Sequence, residues 1–243
     1  MKPRLYNLQW EKEKIGIDAS KVNLTHGLKH EHWNQLMNEF NDYELVVINN
    51  LGNNSKNNVL IGSLDNSFVA DINVQFEKGT CKVDEDKNSN VKIINNKDFD
   101  EDLIKIAEKS FLVSRFTIDP NFDSEKTRLV YVDWTKNSFN RDDKYFVTYE
   151  LENKRVGFIV FSFTDNIANV ELVAVDSNYQ NRKIGKAMIT ELERFIYEER
   201  KEISLIRVGT QSENEVAIRF YQNRGFKVVK INTIYHYWNK ENR

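Results

Sequence analysis

The sequence is poor in the residues that staple or bend a chain: of 243 residues, 1 is cysteine, 2 are proline and 9 are glycine. A single cysteine, Cys81, excludes an internal disulfide and suits a reducing cytoplasm. Long apolar runs are also missing. Nothing approaches the roughly 18 uninterrupted apolar residues of a membrane span, and Met1-Lys2-Pro3-Arg4 leads into no apolar signal core, so a cytoplasmic location is expected. There is no excess of positive charge. The 35 Lys and Arg face 37 Asp and Glu, a formal −2, so no global field favours nucleic acid or an anionic membrane surface. What is abundant is asparagine, 30 in all, of which 17 fall in residues 1–96.

A hydrophobic fraction of 40% with 12% aromatics suits a folded globule and is too high for disorder. The polar run Asp84-Glu85-Asp86-Lys87-Asn88-Ser89-Asn90 has nothing apolar to bury and reads as a linker. It divides the chain into an amino-terminal domain over 1–84, a linker over 85–90 and a second domain over 91–243. In the first, Leu45–Ile48, Val59–Ile61 and Phe68–Phe76 read as strands, with helical spacing at Trp33, Leu36, Met37 and Phe40. In the second, strand Val91–Ile94 precedes helices Asp98–Phe111 and Ser124–Phe139. Strands Tyr145–Glu150, Arg155–Phe163 and Ile167–Val175 follow, joined by short polar turns. Helix Ile184–Lys201, strand Ser204–Thr210, helix Asn214–Asn223 and a hairpin of Lys227–Ile231 with Thr233–Trp238 close the chain. No internal repeat is evident.

Chemistry concentrates in residues 171–226. Strand Glu171–Val175 runs through a polar turn into Gln180-Asn181-Arg182-Lys183-Ile184-Gly185-Lys186-Ala187 and a long helix. Such a junction exposes unpaired backbone N–H groups at the positive end of the helix dipole, which suits a diphosphate. Arg182, Lys183 and Lys186 add positive charge there; a basic surface turn is the alternative reading. Neither of the glycine-rich phosphate-binding motifs of dinucleotide-binding and nucleotide-hydrolysing folds occurs.

The next strand–helix unit carries Asn214-x-x-Ala217-x-x-x-Tyr221-x-x-x-Gly225-Phe226, and the paired pattern resembles the GCN5-related N-acetyltransferases. Their signature Gln/Arg-x-x-Gly-x-Gly/Ala is met at Gln180 and Gly185; Lys183 stands in place of the first glycine. Longer blocks, Leu5 through Trp10-Glu11 to Asp18, Phe111 to Phe116, Arg128 to Trp134 and Tyr235 to Trp238, resemble the dTDP-fucosamine acetyltransferases within that superfamily.

The resemblance implies an α/β acyltransferase fold, a mixed and splayed central sheet flanked by helices, preceded by a smaller α/β amino-terminal domain. It implies acetyl-CoA as co-substrate, no metal, and direct attack on the thioester by the amine of a nucleotide-linked amino sugar of the dTDP-4-amino-4,6-dideoxyhexose type. A protein or small-molecule amine as acceptor, and a catalytically silent acyl-CoA-binding module, stay open as alternatives, as does a homodimer. In this reading Tyr221 is the acid for the departing thiolate, with an aromatic packed on the sheet as its alternative, and Glu171 is a candidate base. The backbone N–H near Val173 is the candidate oxyanion donor, and Val173 and Val175 are candidates for binding the cofactor. Gln180, Asn181, Arg182, Lys183, Gly185 and Lys186 line the pyrophosphate, and Asn214 reaches the pantetheine arm or caps its helix. On the acceptor side, Ser114, Arg115 and Arg128 are candidates for the sugar nucleotide's diphosphate, and Phe116 or Trp134 for stacking. Surface ion pairs and a core tryptophan are the alternative. His26, His30 and His32 read as an exposed polar cluster rather than a metal set, His236 as a residue of a sheet face, and Cys81 has no evident base partner.

Overall fold

The computed structural model describes residues 3–95, 99–111 and 114–239. The strands are β1 Leu5–Asn7, β2 Ala19–Leu24, β3 Leu45–Asn50, β4 Ser67–Gly79, β5 Val91–Ile94, β6 Lys144–Leu151, β7 Lys154–Thr164, β8 Ile167–Val175, β9 Leu205–Gln211 and β10 Lys227–Trp238. They form one ten-stranded sheet in the order β1-β2-β3-β10-β4-β9-β8-β7-β6-β5. The helices are α1 His30–Phe40, α2 Ser55–Gly62, α3 Glu101–Ser110, α4 Arg115–Ile118, α5 Ser124–Thr127, α6 Val130–Phe139, α7 Ile184–Glu199 and α8 Glu215–Asn223, with a π-helical turn over Glu11–Ile15.

The sheet is built from two copies of one arrangement. In β2-α1-β3-α2-β4 and in β8-α7-β9-α8-β10, the first two strands are parallel and joined by a helix. The last strand of each unit then crosses into the other: β10 pairs with β3, β4 pairs with β9, and β4 and β10 pair antiparallel at the centre. A half-turn about that central pair exchanges the two units, so right-handed crossovers put α1, α2, α7 and α8 on one face of the sheet. The opposite face is covered by α3–α6 and the π-helical turn.

Four apolar clusters match these layers. On the crossover face, Met188, Ile189, Leu192 and Ile196 of α7 pack on Phe76, Ile206 and Val208, while Trp33, Leu36 and Phe40 of α1 pack on Val22, Val46 and Ile48. On the other face, Leu103 and Ile106 of α3 cover Phe146, Phe158 and Leu172; Ile15, Phe116, Phe122 and Val130 cover Ala19, Leu45 and Val47. The two-residue turn Glu152-Asn153 takes φ values of 50° and 62°, the left-handed pair that matches the twist of a tight hairpin.

Several sequence expectations are corrected. Val59–Ile61 lies in helix α2, because the Asn54 side chain accepts from the backbone N–H groups of Lys56 and Asn57 and starts a helix there. The expected terminal hairpin is one strand, β10, with its register shifted between Val228 and Lys230. The expected helix over Ser124–Phe139 is two helices, α5 and α6. A repeat exists where none was expected. Residues 85–90 carry no helix or strand, and the sheet continues across them because β4 lies between β10 and β9. Asp98, expected at a helix start, lies outside the described residues, as do Leu112 and Val113 of the Phe111–Phe116 block.

Candidate active site

β8 and β9 pair from Ile167 opposite Leu205 to Val170 opposite Val208 and then part. β8 continues to Val175 against β7 alone, and β9 continues to Gln211 against β4 alone. The parting starts at a β-bulge: Val170 is opposite Phe161 and Leu172 is opposite Val160, so Glu171 is the extra residue. A cavity of about 830 Å³ fills the gap and passes through the sheet. Its walls come from α6 and the π-helical turn on one side and from Asn214, Ala217 and Tyr221 on the other.

On the crossover side, β8 leads through a turn capped by Asp176 into the start of α7. Asn181 and Lys183 both have φ of 63°. Lys183 adopts the left-handed conformation that a glycine would adopt more cheaply, so the loop keeps its shape without the glycine. The N–H groups of Ile184, Gly185 and Lys186 open the helix, whose ladder begins with Ala187 donating to the Lys183 carbonyl. A Cβ on Gly185 would meet the Phe220 ring at 3.5 Å, ordinary contact that sets how closely α7 and α8 approach. Arg182 lies over the Tyr179 ring, Lys186 pairs with Glu85 at 2.8 Å, and the Gln180 amide donates to the Val175 carbonyl at 3.3 Å. Lys186 holds the Glu85 carboxyl below the usual range. Val175 stands opposite Gly157, and Val173 lines the cavity. Asn214 both lines the cavity and caps α8, accepting from the Ala217 N–H at 3.0 Å. These donors and this curvature fit a diphosphate followed by an extended arm.

Tyr221 is buried among Phe76, Phe220 and Phe226 while lining the cavity. Burial pushes its phenol far above the ordinary value, so the hydroxyl keeps its proton throughout the working pH range. Tyr221 is thus a core aromatic that also borders the cavity.

On the other side, Glu171 is held by donors on three elements: it pairs with Lys144, accepts from the Ser162 hydroxyl at 2.5 Å, and accepts from the Trp134 indole at 3.4 Å. Trp134 lines the cavity, its ring stacked at 10° on Tyr131. Arg115 also lines it, pairing with Glu11 at 2.9 Å, contacting His236 at 3.2 Å and covering the Phe116 ring. Behind Arg115, the buried Asp119 takes hydrogen bonds from Trp238 at 2.9 Å and from His236 Nδ1 at 2.5 Å. His236 is thus fully buried in a polar chain between the half-sheets. Ser114 caps α4, its hydroxyl accepting from the Phe116 N–H at 3.3 Å, and lies beside Tyr131. Arg128 stands away from the cavity, 65% exposed and 3.9 Å from Glu108.

Sequence reasoning missed Glu11, Asp71, Tyr131, Arg141 and Lys144, all of which line the cavity. Asp71 and Asn73 share one face of β4, and β4 reaches the gap only because it has crossed from the leading unit. No local signal could reveal that. The histidines His26, His30 and His32 form no metal-holding group; among the described residues no cluster of three or more His, Cys, Asp or Glu does.

The corresponding place in the leading unit is closed. β2 and β3 stay paired from Ala19 opposite Leu45 to Leu24 opposite Asn50. At their end, the buried Asn57 accepts from the Leu28 N–H at 2.9 Å and donates to the His26 carbonyl at 3.0 Å and to Asn50 Oδ1 at 3.1 Å. Asn50 in turn donates to Asn58, whose carbonyl oxygen also receives the Tyr235 hydroxyl. Three of the asparagines of the leading segment thus form one network of side-chain amides.

The acetyltransferase (GNAT) family model matches residues 103–226, more than half of the chain. A spore coat polysaccharide biosynthesis protein of Bacillus subtilis, SpsD, is 24% identical over 138 residues, covering 57% of this chain and 47% of its own. The chain thus spans about half the length of the curated relatives it matches. A conserved protein of unknown function from Staphylococcus epidermidis superposes with a TM-score of 0.66 at 13% identity, covering 98% of this chain and 91% of its own. A GCN5-related N-acetyltransferase from Sphaerobacter thermophilus does so with 0.64 at 11% identity, covering 97% and 76%.

Proposed function

The chain belongs to the acetyltransferase (GNAT) family, and from that premise we propose that it transfers the acetyl group of acetyl-CoA to the amine of a nucleotide-linked amino sugar. The cavity that crosses the sheet where β8 and β9 part, with Tyr221 inside it, carries this reading. A thioester can enter from the α7 and α8 side and an amine from the α6 side, so the two meet within the sheet.

In the proposed reaction, the pyrophosphate lies on the backbone of residues 180–186, with Gln180, Asn181, Arg182, Lys183, Gly185 and Lys186 around it, and the pantetheine arm follows β8 past Val175 and Asn214. The parted edge near Val173 offers a backbone N–H to the oxyanion, a contribution of about 10²–10³ in rate. The amine attacks the carbonyl directly, and Tyr221, protonated because it is buried, delivers its proton to the departing sulfur. Glu171, the base candidate from the sequence, already has three donors; we assign it to holding Lys144 and Trp134 in the acceptor wall.

Three features support a sugar nucleotide as acceptor. Tyr131 and Trp134 offer a stacked aromatic wall. Arg141 lines the cavity and, among the described residues, pairs with Asp143 alone, an exposed contact of 2.7 Å that a diphosphate can displace. The Bacillus subtilis relative is a spore coat polysaccharide biosynthesis protein. Of the sequence candidates for phosphate, Arg115 borders the cavity but is engaged with Glu11, and Phe116 and Ser114 support it from behind.

The test is thiol release from acetyl-CoA with a panel of amines: dTDP-4-amino-4,6-dideoxygalactose, its gluco epimer, free amino acids and a lysine-rich peptide. Turnover by a sugar nucleotide, reduced at least about 10²-fold in Tyr221→Phe, is the expected result. Turnover of the peptide alone would reassign the acceptor.

A further inference from the structure

We propose that Asp71, reaching the cavity from the exchanged strand β4, is the carboxylate that receives the acceptor's ammonium group and removes its proton. The inference rests on the acetyl-transfer reading above and names the missing base in it.

Each cation that lines the cavity already has a carboxylate: Arg115 has Glu11, Lys144 has Glu171 and Arg141 has Asp143. Asp71 is the carboxylate left over; no lysine or arginine forms an ion pair with it among the described residues. The charges it feels are Arg115 from α4, which is turned to Glu11 and His236, and the carboxylate of Glu213 just before α8, which makes its surroundings more negative. Tyr131 of α6 faces it as a neutral phenol, beside Ser114 and Gln211. An unpaired carboxylate in the wall of a cavity attracts a cation, and an amine acceptor enters as one.

The same position suits a base. Burial raises the Asp71 carboxyl from 3.8 to about 6, against the opposing pull of the Ile72 backbone N–H and of Arg115. A base poised near working pH takes a proton more effectively than a fully solvated aspartate. Asp71 takes one proton from R–NH3+, and the freed lone pair forms the C–N bond to the thioester carbonyl. The C–S bond then breaks and the sulfur takes the Tyr221 proton. The second nitrogen proton restores Tyr221, and Asp71 releases its proton to water. The products are amide, CoA thiol and one proton.

The decisive experiment is the pH profile of kcat/KM for the full chain with the best amine of the panel, comparing wild type with Asp71→Asn and Asp71→Glu. Wild type should show an acid limb near pH 6. Asp71→Asn should lose that limb and fall about 10²-fold at pH 7. The deficit should shrink to less than about tenfold above the amine's own pKa, where free amine is supplied by solution. Asp71→Glu should keep a limb, and all three proteins should bind acetyl-CoA within about threefold by calorimetry, which excludes misfolding. A limb that persists in Asp71→Asn, or a loss equal at every pH, overturns the assignment of Asp71 while leaving acetyl transfer intact. Wild type that binds acetyl-CoA but acetylates no amine overturns both.

Discussion

Ile61 holds in α2 the place that Tyr221 holds in α8: each follows its helix-capping asparagine, Asn54 or Asn214, at the same spacing, and each is buried. The hydroxyl is present in one unit and absent in the other, and the strands β2 and β3 beneath Ile61 never part. The leading unit therefore offers neither an acid nor a gap. Calorimetric titration with acetyl-CoA should give one site per chain, and Tyr221→Phe should leave that stoichiometry unchanged. Two sites of comparable affinity would show that the paired strands open in solution.

Asn57 closes the leading unit by bonding the backbone of the loop that corresponds to the 180–186 turn. Its removal would leave the buried Leu28 N–H and the part-buried His26 carbonyl without their partner. Asn57→Ala should cost roughly 2–4 kcal/mol in urea denaturation, with acetyl-CoA affinity retained because the cleft in use lies in the other unit. A loss below about 1 kcal/mol would mean that water replaces the amide there.

Lys183 keeps a left-handed backbone at φ of 63° without being glycine. A side chain in that conformation costs on the order of 1 kcal/mol, which Lys183→Gly relieves. That variant should melt a few degrees higher. Its acetyl-CoA affinity should change less than about threefold if backbone amides carry the contact. A tenfold loss would assign the contact to the lysine ammonium instead.

Much of this molecule is legible locally. The spacing of Ile184, Met188, Leu192 and Ile196 marks the α7 stripe, and the turn Glu152-Asn153 marks its hairpin, because both depend on residues close in the chain. The crossing of β4 and β10 is not legible: each strand has an ordinary alternating pattern, and only the sheet decides which neighbour it takes. The acceptor wall inherits that blindness. Glu171, Trp134 and Tyr221 lie within recognisable blocks, whereas Asp71 comes from a strand whose own unit lies on the far side of the sheet. The pair Asn57-Asn58 carries no local sign of its role, because its hydrogen bonds run to Asn50 and to Tyr235.

The same crossing gives Asp71 an effect on stability opposite in sign to that of the buried pair His236 and Asp119. Burial, reinforced by Arg115 and outweighing the pull of Asp119, holds the His236 imidazole below 6.5. The folded state therefore resists protonation, and the His236 contribution is present above pH 6.5 and lost as pH falls. Burial alone would raise the Asp119 carboxyl, but hydrogen bonds from His236, the Asn121 backbone and Trp238 hold it below 3.8, so its contribution is lost only below that pH. Asp71, raised from 3.8 to about 6, keeps its proton in the folded state where the unfolded chain has released it. Its contribution is most favourable below pH 3.8 and is gone above about 6, where ionisation of the half-buried carboxyl works against folding. Asp71→Asn should thus be more stable than wild type at pH 7.5, on the order of 1–2 kcal/mol after allowance for solvent screening, and equal to it at pH 3.5. Urea denaturation at both pH values reads the difference. A stability gain independent of pH would mean that the asparagine simply packs better, whereas a gain confined to high pH identifies the cost of keeping an unpaired charge ready for a cationic substrate.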